Sequence, residues 1–557
     1  MAFPFKIQPM APLSALKSDN WPENQPPSFR PPLRGFTPPC MGQSASSRLL
    51  TLSQSRDFTN DLPDECLALV FGSLTAADRR TCSLVCRRWL LIEASCRARL
   101  SLHARPSLLQ AVPPLFARFD AVSKLSLRCS RRTASVGDEA LALIASRCPR
   151  LVSLKLRSCR DITDAGMDAV ARHCPDLRKL SVGCCCFGAN GIDVVLRGCL
   201  LLEELSVKHL RSLHDSTAIS GPIAGVTSLR TVCLKDLYNA QCFAPLIASS
   251  PKLKTLKLIR CSGDWDPLLE AMAGKVPGFA ELHLERLQVS DRGLIALSAR
   301  VDLEFLRLVK TPECTDAGVA AVAECSPRLR KLHVDGWKAD RIGDDGLAAV
   351  ARRCVGLQEL VLVGVNPSIR SLELVATNCG SLERLALCGS DTVGDAEIAC
   401  VAAKCTSLKK LCIKGCPVSD QGMESFVSGC PNLLKVKVKR CPGVTPECAE
   451  RLMASRSGQL SMNVEPVDEG PDDEQRIVAA IDEVEIQESN SGGRGIEQAV
   501  ATAGLITTSW KRRCATMKML SGLIAARRNV VAFATRKWSS QGRTILSLVN
   551  AEHQHGR

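Results

Sequence analysis

Three kinds of side chain in this 557-residue sequence have the types to do chemistry: 29 cysteines, 8 histidines and an excess of basic residues, 72 Lys and Arg against 57 Asp and Glu. The cysteines would suit metal binding or thiol exchange. None forms a Cys-x-x-Cys pair, the spacing of zinc ribbons and fingers. Cys184-Cys185-Cys186 is the one cluster where a redox or metal role is imaginable. The histidines are scattered without a common partner, and His283 and His333 fall at equivalent places two repeats apart. No Gly-x-Ser-x-Gly elbow, P-loop, His-Glu-x-x-His or Gly-rich dinucleotide loop is present, so no catalysis is expected. The basic residues are the ones with a pattern, and the chemistry they suit is the binding of anions.

A repeat must position them. From Val122 to Val438 the pattern apolar-x-x-apolar-x-apolar recurs, anchored at Val122, Leu151, Leu177, Leu202, Leu229, Leu253, Phe279, Leu303, Leu329, Leu357, Leu382, Leu408 and Leu433. Intervals of 24 to 29 residues lie in the range of leucine-rich repeats. In the unit opening at Leu151, Leu154 and Leu156 alternate inward on a short strand, and Thr163 or Asp164 offers an oxygen to cap a helix. Met167, Val170 and Ala171 then face the core at helical spacing, and Pro175 ends the helix. Thr315-Asp316, Gly343-Asp344, Gly394-Asp395 and Ser419-Asp420 restart the same unit. Each unit buries its apolar edge only against its neighbours, so the fold class is an α/β solenoid with a parallel strand ladder inside and helices outside. Leu100-x-Leu102 is expected to add an irregular capping strand, and the repeat to stop after Ser455. Aromatic residues are only 4%, so leucine, valine and alanine must build the core. Cysteines at the ninth place of a repeat and before proline read as small apolar fillers.

Positions three, five and seven of each repeat point away from that core. The basic residues there are Lys124, Arg128, Lys155, Arg157, Lys179, Lys208, Lys235, Lys257, Arg307, Lys331, Arg384, Lys410, Lys414, Lys435, Lys437 and Lys439; the acids are Glu204, Glu281, Glu285, Asp335 and Glu359. A surface lined by one sign attracts the opposite charge. An acidic protein segment, a phosphorylated one or a polyphosphate would fit; the other reading is a lysine-rich face kept soluble by repulsion. Glu281, His283, Glu285 and Asp335 break the stripe mid-solenoid, either pairing with basic neighbours or forming a specificity patch. Nucleic acid is not expected, because the strands lack interleaved aromatics for base stacking.

A separate apolar pattern runs from Asp61 to Trp89. Pro63 presets φ at a helix start, with Asp64 and Glu65 complementing the helix dipole. Leu67, Val70, Phe71 and Leu74 recur at i, i+3, i+4 and i+7, and Cys82, Val85, Cys86 and Trp89 repeat that spacing in a following helix. Two or three short helices cannot bury this much apolar surface alone, so the unit needs a partner. Leu62-Pro63-x-Glu65, Val70-Phe71 and Val85-Cys86-Arg87-Arg88-Trp89 resemble the F-box. That resemblance implies docking onto a small Skp adaptor and through it a cullin. Leu62, Pro63, Leu67, Val70, Phe71, Leu74, Val85, Cys86 and Trp89 would touch the adaptor or hold the helices that do.

An F-box followed by such a solenoid resembles the plant F-box/leucine-rich-repeat family, most closely the VIER F-box group, over roughly Phe58 to Ser455. That group is related to the auxin and jasmonate receptors. The resemblance implies a non-catalytic substrate-recognition subunit of an SCF-type (Skp-cullin-F-box) ubiquitin ligase, acting in nucleus and cytoplasm. Residues Lys155 to Lys439 of the basic set would bind an acidic or phosphorylated protein substrate for proteasomal degradation. The alternative is a solenoid that takes an anionic small ligand, an inositol phosphate or hormone, as co-receptor; no other cofactor and no metal is expected. The related hormone receptors close a pocket with long inserted loops. Here the longest repeats exceed the shortest by a few residues, which favours a direct protein surface.

The domains expected are a disordered extension (1–56), the F-box (57–99), the solenoid (100–455), an acidic linker (456–496) and a basic helix-prone tail (497–557). Met41-Gly42-x-x-x-Ser46 fits N-myristoylation at Gly42 only if translation starts at Met41, and only then is membrane binding expected. Met1 to Met10 does not read as a signal peptide and no run of twenty apolar residues occurs, so a reduced, intracellular protein is expected.

Overall fold

The computed structural model describes residues 59, 61–130, 132–213, 228–336, 341–456 and 458–465. Gly42 with its extension, the acidic segment beyond Glu465 and the basic tail lie outside them. The chain divides into two compact units between Cys96 and Arg97.

Among its described residues the first unit holds three helices, α1 (Asp64–Ser73), α2 (Ala76–Cys82) and α3 (Arg87–Ser95). Pro63 stands at the start of α1 with φ −57°, followed by Asp64 and Glu65 in the first turn. The Thr75 hydroxyl caps α2 by accepting from the Asp78 N–H at 3.3 Å. The spacing that predicts one helix carrying Cys82, Val85, Cys86 and Trp89 fails here. The chain turns over Ser83–Val85, and Cys86 becomes the cap of α3, its Sγ accepting from the Trp89 N–H at 3.4 Å. Four residues are one helical turn, but they also suffice for a turn plus a cap. Arg88 fastens α3 to the start of α1, donating to Asp64 Oδ1 at 2.8 Å and to the Leu62 and Thr59 carbonyls. Leu67, Phe71, Cys82, Trp89 and Ile92 form the small core.

Among its described residues the second unit builds one parallel sheet of fifteen strands in sequence order, with helices between strands. They are β1 (Arg99–His103), β2 (Lys124–Arg128), β3 (Ser153–Arg157), β4 (Lys179–Gly183), β5 (Glu204–Lys208), β6 (Thr231–Leu237), β7 (Thr255–Cys261), β8 (Glu281–Glu285), β9 (Phe305–Val309), β10 (Lys331–Asp335), β11 (Glu359–Val363), β12 (Arg384–Cys388), β13 (Lys410–Lys414), β14 (Lys435–Lys439) and β15 (Ser461–Glu465). Thus β1 is the expected capping strand. The repeat, expected to end at Ser455, continues for one more strand, because Ser461–Glu465 pairs in register with Lys435–Lys439. Positions four and six, such as Leu154 and Leu156, are buried from β2 to β14, and position five opposite them is left for the other face.

Neighbouring repeats are stitched by an aspartate ladder. Thr163 caps its own helix, Asp164–His173, by accepting from Ala165 N–H, whereas Asp164 reaches into the next repeat and accepts from Gly188 N–H at 3.1 Å. Asp291 does more: Thr315 N–H (2.8 Å), Thr315 Oγ1 (2.5 Å) and Gly318 N–H (3.1 Å) all donate to it. Asp316, Asp344, Asp395 and Asp420 take equivalent bonds. Each carboxylate therefore satisfies helix-start N–H groups that would otherwise lack partners. A Cβ at Gly318 would stand 2.3 Å from Asp291 Oδ1, so glycine is what lets the carboxylate in.

The buried cysteines form a second ladder. Cys174, Cys199, Cys379 and Cys430 each close a helix and donate their S–H to a carbonyl one repeat back. Burial pushes the Cys174 thiol to about 12 and Cys199, Cys379 and Cys430 to about 11, which suits packing and not reaction. The eighth place of many repeats turns the chain with positive φ, as at Ser158 (59°), Cys184 (56°), Arg260 (51°) and Gly415 (56°).

Candidate functional site

On the helical unit the nine predicted residues separate by burial. Leu67, Phe71 and Trp89 are core: Trp89 is 8% exposed and meets the Phe71 ring edge-on at 5.2 Å between centroids. Leu62, Val70 and Leu74 are half-buried against that core, while Pro63, Val85 and Cys86 are exposed. The most exposed apolar side chains are ones the stripe did not select: Leu69 (76%), Leu84 (67%) and Leu91 (69%). Leucines lying off the periodic stripe were the available signal.

On the solenoid, strand positions three, five and seven vary along the ladder. Toward β1, Lys155, Arg157, Lys179 and Lys208 are exposed; Lys235 and Lys257 are half-buried. Toward β15, Lys435 is exposed and Lys410, Lys414, Lys437 and Lys439 are half-buried. Several basic residues face carboxylates: Lys179 pairs with Glu204, Lys208 lies 3.9 Å from Asp236, and Lys439 lies 2.8 Å from Glu465.

Between these ends the stripe is interrupted by buried groups. Phe305 stands edge-on to His283 (4.3 Å) and to His333 (4.9 Å), with Lys331 Nζ 5.7 Å from the centre of its ring. One aromatic is therefore interleaved among the strands where none was expected. Arg307 is only 5% exposed, and Glu285 and Asp335 are buried beside it. Glu359 gathers three basic groups: His333 Nε2 at 2.9 Å, an Arg384 guanidinium nitrogen at 2.5 Å and Lys331 Nζ at 3.6 Å. Burial works against the Glu359 charge, but the His333 hydrogen bond and the charges of His333, Arg384 and Lys331 outweigh it and lower this carboxyl to about 2. Of the acids that interrupt the stripe, Glu359 thus pairs with basic neighbours, and Glu285 lies 3.9 Å from an Arg260 guanidinium nitrogen.

Next to this network lies an apolar strip, Val361, Val363, Ala386 and Cys388, with Cys412 packed against it. These occupy positions five and seven of β11 and β12 and position five of β13, where other repeats carry polar groups. Reading the apolar members of those positions, and not the charged ones alone, would have found it.

His283 has a pH consequence. Burial lowers it to about 4; the Glu281 carboxylate, 3.9 Å away, acts against this, and Lys257 and Arg307 add to the lowering. The unfolded chain takes up this proton near pH 6.5, the folded chain only near 4, so stability falls as pH drops through that window. The loss should approach about 3 kcal/mol below pH 4. Urea midpoints measured from pH 7 to 4.5 should show it, and His283→Gln should flatten that part of the profile; an unchanged slope in the variant would assign the acid sensitivity elsewhere.

Comparison with known proteins agrees with this arrangement. An F-box-like family model matches residues 59–93, and a leucine-rich-repeat model matches 147–171 and 404–427. A Transport inhibitor response 1-like protein of Oryza sativa subsp. japonica is 24% identical, over 68% of this chain and 84% of its own. F-box protein FBX14 of Arabidopsis thaliana is 25% identical over 72% of this chain and 75% of its own. Coronatine-insensitive protein homolog 1b of Oryza sativa subsp. japonica is 25% identical over 77% and 81%. The chain thus carries an F-box-like unit followed in sequence by a leucine-rich-repeat strand ladder, and it is similar to plant F-box/leucine-rich-repeat proteins.

Proposed function

We propose that this chain is a non-catalytic substrate-recognition subunit of an SCF-type ubiquitin ligase, of the VIER F-box type, working in nucleus and cytoplasm. The F-box would hold a Skp-type adaptor and its cullin, and the inner strand face would hold a protein target, so that ubiquitin transfer gains from proximity. The observation that carries this reading is the exposure of Leu69, Leu84 and Leu91 on an F-box-like unit whose own core is already filled. A partner that covers them would remove three large apolar side chains from water. The basic ends of the ladder suit an acidic or phosphorylated target.

A second reading, an anionic small ligand as co-receptor, is favoured by one arrangement: Phe305 and the apolar strip lie beside Arg384 and Lys331.

The test is adaptor capture by the full chain against Leu84→Asp with Leu91→Asp. Both positions are exposed, so the helices should survive, while binding should fall about 100-fold, the worth of two interface leucines. Undiminished capture by the folded double variant would refute the docking reading.

A further inference from the structure

Cys412 occupies position five of β13 on the inner strand face, and it is half-buried, not sealed. The register surrounds it with cations. Lys410 and Lys414 flank it on its own strand, Lys437 lies directly across on β14, and Lys435 and Lys439 are the diagonal neighbours there. Arg384 is the diagonal neighbour on β12, and Ala386 stands directly opposite. Arg384 shares Glu359 and Lys439 shares Glu465, but Lys414, Lys435 and Lys437 have no carboxylate in ion-pair range among the described residues. Cys388 packs against Cys412 from β12.

From this the geometry points to Cys412 as a reactive thiolate that forms a mixed disulfide with small anionic disulfides, of which oxidised glutathione is the probe. The inference goes beyond the ligase reading and does not depend on what the strand face binds.

Three observations support it. A thiolate is the attacking species, and surrounding positive charge favours it over the thiol. Among the described thiols with a shifted acidity, Cys412 alone is moved down: the hydrogen bond from Cys388 is the largest cause, burial opposes it, and Lys437, Arg384 and Lys439 add to the lowering. Burial, and then the charges of Arg440 and Lys439, move the Lys414 ammonium down. Finally, the incoming group brings two carboxylates into a ring of lysines, which favours the adduct electrostatically.

The step balances without any other oxidant. The Cys412 sulfur attacks one sulfur of the disulfide; that S–S bond breaks, a new one forms to Cys412, and one glutathione thiolate departs. Cys388 is a packing neighbour in this scheme and not a resolving partner. Its register neighbour is Lys414, so Cys388 and Cys412 are diagonal, where Cα atoms lie about 7–8 Å apart. A disulfide needs less than about 7 Å.

The experiment uses the reduced full chain, treated with oxidised glutathione at pH 7 and analysed by peptide mass. Cys412 should acquire the adduct first, at least about 100-fold faster than Cys174 or Cys430, whose thiols burial keeps protonated. Iodoacetamide labelling of Cys412 should reach half its maximal rate below the pH of about 8.5 typical of a free thiol. In Lys437→Gln that midpoint should rise by about half a pH unit, as expected for one cation removed at short range. Adducts forming first at the exposed Cys66, Cys86 or Cys325, or a Cys412 midpoint at or above pH 8.5, would overturn the assignment. A Lys437→Gln midpoint that does not move would equally remove the cation ring as its cause.

Discussion

Replacing Trp89 with alanine will unfold the N-terminal helices and leave the strand ladder intact. The core of that unit is five residues, Leu67, Phe71, Cys82, Trp89 and Ile92, and Trp89 is the largest of them. Truncating a buried tryptophan removes about 3–5 kcal/mol. A unit this small buries little surface, so its whole stability is of that order. The loss also spreads, because Trp89 sits in the first turn of α3, next to the Arg88 clamp that ties α3 to Asp64 and Leu62. Hydrogen exchange should show protection collapsing over residues 61–96 while β2 to β14 keep theirs. Adaptor capture should vanish with it. Leu84→Asp provides the contrast: it should weaken capture with amide protection of α1 and α3 retained. Protection that survives in Trp89→Ala would mean that Leu67, Phe71 and Ile92 suffice to hold the helices.

That contrast marks where the sequence was readable and where it was not. The strand ladder could be read from Leu154, Leu156 and their equivalents because a period of two is a local property, printed on each strand separately. The F-box stripe could be read as apolar. Spacing puts Leu67 on the stripe and leaves Leu84 off it, but it does not tell whether the stripe faces the unit's own core or a partner. The break between Cys82 and Arg87 was missed for a related reason: a four-residue interval fits a continuous helix and fits a turn followed by a cap. What lay furthest from view depends on register between repeats. Asp164 could be assigned to a cap, but its actual acceptor role is toward Gly188, in another repeat. Likewise Glu359 reads as an isolated acid in a basic stripe until the pairing of β10, β11 and β12 brings His333 and Arg384 onto it. Charge counted along a sequence overstates the free charge on a folded face, and the buried Arg307 is the clearest instance.

Glu359→Ala should lower the stability of the solenoid by about 3–5 kcal/mol. The carboxylate is buried, and so are the groups it serves: the His333 side chain is 3% exposed and that of Arg384 14%. Removing one member of such a set leaves the Arg384 charge in a poorly solvated place without its 2.5 Å partner. Glu359→Gln keeps the shape and one acceptor oxygen but not the charge, so its effect should be smaller. The two variants therefore separate lost packing from lost charge. The pH dependence gives an independent check. Because the folded carboxyl is lowered to about 2 from about 4.3 in the unfolded chain, its contribution is fully present above pH 4.3 and disappears as pH falls through 2. The difference in urea midpoint between wild type and Glu359→Gln should thus be constant from pH 7 to 5 and shrink below 4. The His283 effect runs over the earlier window, between 6.5 and 4, so the two titrations can be told apart in one series. If Glu359→Ala unfolds at the wild-type midpoint, the network is decoration on the strand face. If it unfolds early and exchange rises first in β10 to β12, the buried charges are what hold Phe305 and the apolar strip in place.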